Sequence, residues 1–426
     1  MAAASTEGAR VLQRLRNLPG GEQVLELASG RADVELVGGA VRDLLLGATP
    51  REIDLVLDGS PPSFPDAAVL FARDLAPLLP CDDGKQPQVS VHERFGTAAV
   101  RWRGGRVDIA ARRTERYQHP GALPQVRPGS AEQDLQRRDF TVNAIAVALG
   151  GAEPGAIRLA GEALADLHAG RLRVLHDASF QDDPTRLLRL GRYAARLGFV
   201  VEPHTALLAS QAIAGGATGT VSAARIGAEL RLALREADLL GTLSQLAGLG
   251  VLAALHPPMR LEPSLLDTAL QLLPADGRRD LLALGSLLRK PLPDADEQLQ
   301  AVLDGFEHPA AERAPVIETA LRSDTLSREL GHEREPPALW DLLRGVPVEA
   351  VALAGALAGS GPGRAAAQRW LGDLRHIRLQ ISGDDLLAAG VQAGPEVGER
   401  LANALRQRLG GTIESGRDAE LRAALR

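Results

Sequence analysis

VELVGGAVRDLLLGATPREIDLVLDG, Val34 to Gly59, is the stretch whose reading decides the fold. A strand closing at Leu36 to Gly38 runs into a Gly-Gly turn, a helix follows from Ala40 to Leu46, and a second strand spans Ile53 to Leu57. Gly38 and Gly39 leave the backbone bare between a strand and a helix N-terminus, where amides and the helix dipole favour an anion. Arg42, one turn into the helix, adds a charge-assisted donor for phosphate. Glu52 and Asp54 stand two apart on a strand, so their side chains share a face and can hold one divalent ion. Asp108, alternating with apolar neighbours in RVDIAA, brings a third carboxylate from an adjacent strand. Strand-end acids are often merely solvated, but a phosphate turn just ahead of them points to metal-assisted phosphoryl transfer. Mg²⁺ suits that chemistry, because it takes a few carboxylates together with phosphate oxygens.

Composition frames this reading. A chain of 426 residues is too long for one core, and aromatics make up only 3% while Leu and Ala dominate, so several domains and a largely helical bulk are expected. The net charge of -6 neither supports nor excludes RNA, since binding needs one basic face and not a basic total. Lys85 and Lys290 are the only lysines, so arginine carries the positive charge. A single cysteine, Cys81, excludes intrachain disulfides and cysteine-rich metal sites. MAAASTEGARVLQRLRN lacks the apolar core of a signal peptide and no run approaches membrane-spanning length, so a cytoplasmic setting without membrane contact is expected. The oligomeric state is not legible.

Along the chain, a helix from about Ala67 to Leu79 and strands in FGTAAVRW and RVDIAARR complete a small α/β domain. SAEQDLQRRDFTVNAIAVAL closes it, with Asp134, Arg138 and Asn143 interrupting an amphipathic pattern. Beyond about residue 150 strand signals fade and apolar positions recur at helical spacing. Pro257 and Pro258, Pro291 to Pro293, and Pro336 and Pro337 divide the helices, and the Gly/Ala stretch from Ala352 to Ala367 carries little information.

A second constellation is QDDPTRLLRLGRYAARLGF. Asp183 before Pro184 is a strong helix start, because Asp caps free amides and Pro suits the first helical position. Arg186, Arg189 and Arg192, spaced by three, share one helix face opposite the apolar one and suit a phosphate or base ligand.

GGAVRD, the acidic pair ten residues after its Arg, RRDFTVNAIA and DDPTRLLRLGRYAARLGF resemble, in order and spacing, the class II tRNA nucleotidyltransferases, the CCA-adding enzymes related to bacterial poly(A) polymerases. VHERFGTAAV, DIAARRTERYQHPGALP, LADLHAGRLRVLHDASF and ISGDDLLAAGVQAGPEVGERL are further matches. The resemblance implies an α+β fold. A polymerase-β-like head (1–150) precedes a helical neck with a base template (151–216), a helical body (217–345) and a helical tail (346–426) that binds tRNA. It implies template-independent, two-metal transfer of CMP and AMP from CTP and ATP to the 3′ end of tRNA, with release of pyrophosphate. The partner is then tRNA, held by its 3′ end and acceptor/T arm.

By the same resemblance Gly39 and Arg42 contact the triphosphate, and Glu52 and Asp54 hold Mg²⁺. Arg138 and Asp139 hold phosphates and ribose, Asn143 supports that loop, Asp183 and Arg186 read the incoming base, and Arg189 and Arg192 extend the nucleotide site. The template has its own logic. A carboxylate accepts from an exocyclic amine and a guanidinium donates to a ring acceptor, which is the edge of cytosine and adenine but not of uracil or guanine.

One departure stands out: Glu52 occupies a position where the family normally has Asp. Retained activity is expected, since every other motif is intact. CC-only or A-only addition is an alternative, and such discrimination involves the segment after the metal strand, here Ser60 to Glu93. Poly(A) polymerase fits less well, because GRDAELRAALR supplies no extended basic arm. A non-catalytic RNA-binding relative is the reading that Glu52 alone would favour.

Overall fold

The computed structural model of the protein describes residues 2–58, 66–81, 84–92, 96–289 and 295–426. Two compact units divide the chain, residues 1–222 and 223–426. The four-part division expected from the sequence is finer than this.

The first unit is built on a seven-stranded sheet. Its strands are β1 (Val34–Val37), β2 (Ile53–Leu57), β3 (Gln88–His92), β4 (Thr97–Trp102), β5 (Gly105–Ala111), β8 (Ile145–Ala148) and β9 (Ile157–Leu159), in the order β3-β4-β5-β2-β1-β8-β9. β6 (Arg113–Arg116) and β7 (Gln125–Pro128) form a separate hairpin. Neighbours in the large sheet run antiparallel except β2 and β5, which are parallel with Asp54 opposite Asp108. Strand alternation sorts the faces. Ile53, Leu55, Val107 and Ile109 are buried on one side, and Val56 on the other belongs to an apolar cluster with Val37, Leu135, Ala144 and Ala146. The acids sit at the end of that second face. Buried Glu35 on β1 is paired with Arg112 at 2.8 Å and Arg158 at 3.2 Å, tying the central strand to the chain leaving β5 and to β9.

The helices of this unit are α1 (Ala2–Arg16), α2 (Gly21–Ala28), α3 (Gly38–Leu46), α4 (Ala67–Leu75), α5 (Ala131–Gln136), α6 (Ala163–Ala169), α7 (Ser179–Asp182), α8 (Thr185–Leu197) and α9 (Pro203–Ala214). α4 packs on β2, β4 and β5. The expected helix to Leu79 ends earlier, passing into a 3₁₀ turn over Ala76–Leu78 that contains Pro77. SAEQDLQRRDFTVNAIAVAL proves to be three elements: capped α5, a 3₁₀ turn at Thr141–Asn143 and β8. Strands also continue past residue 150, because β9 completes the sheet edge.

The second unit is helical throughout its described residues, from Ala223–Leu234 to Arg417–Leu425. The first part of the Gly/Ala stretch that looked uninformative, from Ala352 to Ala356, is buried in its core. In Val348–Leu357, the residues from Glu349 to Ala356 are buried, and this helix packs on Ala310–Leu330 and Pro263–Leu272. Small side chains allow that approach: a Cβ on Gly355 would lie 2.6 Å from the Cβ of Ala367. Pro336 and Pro337 open a helix, Pro336–Leu343, and do not break one, as proline suits the first turn. Pro291 to Pro293 lie outside the described residues. No helix of the described residues is long and apolar enough to cross a membrane.

Candidate active site

Parallel pairing of β2 and β5 creates the acidic centre. Asp54 and Asp108 are register partners, and Glu52 precedes β2 by one residue. One carboxylate oxygen from each of the three lies within 4.8 Å of the others. All three are half-buried, and Arg106 is the basic group beside them, donating to Asp108 at 2.7 Å and standing 3.7 Å from Glu52. Burial pushes the Asp54 carboxyl up to about 7, with the charge of Glu52 adding to it and Arg138 opposing it. Burial and Asp108 raise Glu52 as well. Three oxygen donors this close together, two of them with ionisation held back chiefly by burial, form a donor set that suits a divalent metal.

The glycine turn lies at the start of α3. Gly38 has φ 68°, a left-handed conformation that favours glycine. Its missing Cβ leaves room for Arg138, whose Nη1 would be 2.7 Å from that atom. No side chain caps the first turn of α3, so its amides keep their donor capacity for an anion. Gly39 lies against the Arg42 guanidinium.

Arg42 is placed against Asp43 and Asn143. It is 2% exposed, and each of its nitrogens is engaged by protein: Nε and Nη2 donate to Asp43 at 2.8 and 2.6 Å, and Nη1 donates to Asn143 at 2.6 Å. The neighbouring carboxylate competes for the guanidinium that the sequence reading gave to phosphate. Arg138, less enclosed, is tied to Asp134 at 3.0 Å, and its buried Nε has no hydrogen-bond partner among the described residues.

Asp139 is likewise occupied. Its Oδ1 accepts from the Phe140 amide and the Asn143 side chain, both at 2.8 Å, and its Oδ2 accepts from Arg189 Nε and Nη2 at 2.9 and 2.7 Å. Burial would raise this carboxyl, but Arg189 and the Asn143 hydrogen bond hold it down at about 2. Ribose contact, expected from the sequence, would have to compete with these four bonds. Phe140 is fully buried core.

The arginine face of α8 turns inward. Arg186 and Arg192 are each 5% exposed. Arg186 donates to Ser179 Oγ at 2.6 Å and to the Arg137 carbonyl at 2.7 Å. Asp183 accepts from Thr185 N at 3.1 Å and Thr185 Oγ1 at 2.6 Å, the capping role expected of an Asp-Pro start.

Several residues of the site escaped the sequence reading. Asp134, noted only as an interruption, is 1% exposed and accepts from Arg137 twice and Arg138 once, anchoring both arginines of RRDF. The two tyrosines of the chain also belong here. Tyr193 lies under the guanidiniums of Arg42 and Arg189 at 5.2 and 5.4 Å, and Tyr117 donates to Glu115 at 3.0 Å, which also pairs with Arg137 at 2.8 Å. Two tyrosines in an aromatic-poor chain, each within a few residues of arginines, were the available signal.

Residues 34–173 match the family of the Poly A polymerase head domain. An A-adding tRNA nucleotidyltransferase of Geobacter sulfurreducens is 33% identical over 416 residues, 92% of this chain and 45% of that protein. A second A-adding tRNA nucleotidyltransferase, from Halalkalibacterium halodurans, is 39% identical over 249 residues, 57% of this chain and 54% of that protein. The chain thus spans about half the length of the curated relatives it matches. Among solved structures, the Thermotoga maritima CCA-adding enzyme complexed with tRNA-CCA is similar over 98% of this chain and 97% of that one, with a TM-score of 0.74 and 26% identity.

Proposed function

We propose, since the chain belongs to the family of tRNA nucleotidyltransferases and poly A polymerases, that it adds CMP and AMP from CTP and ATP to the 3′ end of tRNA without a nucleic-acid template. The observation that carries this reading is Arg138, whose guanidinium lies against the Gly38 turn and within electrostatic reach of Asp54. One cation thereby joins a phosphate-binding turn to a metal centre, as transfer of a nucleotidyl group requires.

Glu52, Asp54 and Asp108 are the residues that would hold Mg²⁺, whose Lewis acidity would activate the tRNA 3′ hydroxyl and neutralise the leaving pyrophosphate. The amides of Gly38 and Gly39, with Arg138, bind the triphosphate. Arg42 and Asn143 keep the turn and the RRDF loop in register, and Asp139 fixes Arg189 toward the nucleotide. Asp183 and Arg186 accept from and donate to the base edge, favouring C and A, and Arg192 adds positive charge behind them. Residues 1–150 serve as head, 151–216 as neck, 217–345 as body and 346–426 as the tail that meets tRNA. The setting is cytoplasmic.

A second reading, addition of the terminal A alone, is favoured by the A-adding names of the two relatives above. Of the segment from Ser60 to Glu93, residues 60–65, 82–83 and 93 lie outside the described residues. Labelled CTP and ATP, offered with tRNAs ending before C, before the second C and before A, test both readings. Extension of all three substrates supports full CCA addition, and extension of the last alone supports A addition. Extension of none refutes nucleotidyl transfer to tRNA.

A further inference from the structure

We propose that Ser179 is a specificity-determining positioning residue, which holds the two base-reading residues in place and so sets which bases are refused. This rests on the base-reading role given above to Asp183 and Arg186. Ser179 opens α7 and is fully buried. It touches both readers with different groups: its Oγ accepts from Arg186 Nη1 at 2.6 Å, and its carbonyl accepts the Asp183 amide at 3.2 Å.

The geometry leaves Arg186 little freedom. The Arg137 carbonyl takes Nη2 at 2.7 Å, so two acceptors on two different nitrogens fix both the plane and the rotation of the guanidinium. The second acceptor is itself immobilised. Arg137 donates to Glu115 at 2.8 Å and to Asp134 at 3.0 and 2.8 Å, which anchors the backbone carrying that carbonyl. Of the two acceptors on Arg186, the Ser179 hydroxyl is therefore the one that a side-chain substitution can remove.

Refusal of the wrong base depends on that restraint. Cytosine and adenine present an amine beside a ring acceptor, whereas uracil and guanine present a carbonyl beside an N–H. A guanidinium free to swing can turn one of its five N–H groups onto the uracil or guanine carbonyl and convert a mismatch into a hydrogen bond. Held by Ser179 and Arg137, it keeps its donors aimed at a ring acceptor, and the wrong bases meet an acceptor facing Asp183 and a donor facing Arg186. The carboxylate is fixed on the other side by Thr185.

The test is direct binding of CTP, ATP, UTP and GTP to the full chain by titration calorimetry, for wild type, Ser179→Ala, Ser179→Thr and Arg186→Ala, with a melting temperature for each. Ser179→Ala should narrow the preference for CTP over UTP and for ATP over GTP by about tenfold, the worth of one hydrogen bond to a charged group, and lower the melting temperature, since a buried N–H of Arg186 loses its acceptor. Arg186→Ala should abolish the preference. Ser179→Thr, which keeps the hydroxyl, should restore it even if the added methyl lowers the melting temperature. A wild-type preference in Ser179→Ala beside its loss in Arg186→Ala would overturn the role of Ser179, as would a loss that Thr does not restore. A preference that survives Arg186→Ala would show that the base is read elsewhere, overturning both the reading and this inference.

Discussion

Divalent-metal binding at Glu52, Asp54 and Asp108 should weaken about tenfold when the pH falls from about 8 to about 6, because a proton competes for Asp54. Asp54 is paired in register with Asp108, Glu52 lies two residues ahead on the same face, and oxygens of all three fall within 4.8 Å of one another. Burial and the charge of Glu52 place the Asp54 carboxyl at about 7. Such a group is about nine-tenths ionised near pH 8 and about one-tenth near pH 6, so the competent fraction changes by roughly a factor of ten. The linkage to folding has a definite sign. The native metal-free protein keeps a proton on Asp54 that the unfolded chain has already lost, so stability falls as pH rises from the ordinary carboxylate range to about 7. Added metal should reverse that fall above pH 7, where it meets the ionised group. Titration calorimetry with Mg²⁺ or Mn²⁺ at both pH values measures the effect, and Asp54→Asn should remove the pH dependence along with most of the affinity. A wild-type affinity that changes by less than about twofold over this range would refute the reasoning.

Gly38→Ala should destabilise the head by about 1–2 kcal/mol from the left-handed backbone alone. Its Cβ would also displace Arg138, so weaker ATP binding should accompany the lower melting temperature. Asp134→Asn should cost about 3 kcal/mol in urea unfolding, since it leaves Arg137 and Arg138 without the buried carboxylate between them. Asp139, held at about 2, contributes stability that is complete above the ordinary carboxylate range and is lost as pH falls through 4 toward 2. Circular dichroism of Asp139→Asn should show a shallower acid limb and a lower stability at neutral pH, whereas an unchanged acid limb would place the sensitive group elsewhere.

Much of the site was legible because its chemistry is local in sequence. The Gly-Gly turn, Glu52 and Asp54 on one strand face, and the Asp183 helix start each depend on spacings of a few residues, and strand and helix periodicity fixes those. Asp108 was legible for a related reason: alternation with apolar neighbours assigned it a face, and parallel pairing of β2 with β5 supplied the partner. Arg42 and Asp139 were read as ligand contacts from their motifs, and what the motifs did not give is that these side chains also bond Asp43, Asn143 and Arg189. Pairings between residues 50 to 101 positions apart follow from tertiary packing, which spacing does not encode. Asp134 and Ser179 were missed for a different reason: their arginines stand only three to seven residues on, and periodicity assigns a face without telling which polar pair on it is buried. In the second unit, the Gly/Ala helix Val348–Leu357 lacked an amphipathic signature because it is buried on all sides.

Under the proposed function, catalytic competence turns on Glu52, the longer carboxylate that departs from the family pattern. The most direct measurement is incorporation of labelled AMP onto a tRNA ending in CC by the full chain, with Mg²⁺ and with chelator, beside Asp54→Ala. Extension by one nucleotide is expected, requiring the metal and falling by at least about a hundredfold in the variant. Absence of extension with Mg²⁺ and ATP, or extension that survives in Asp54→Ala, would contradict the proposed metal-dependent transfer.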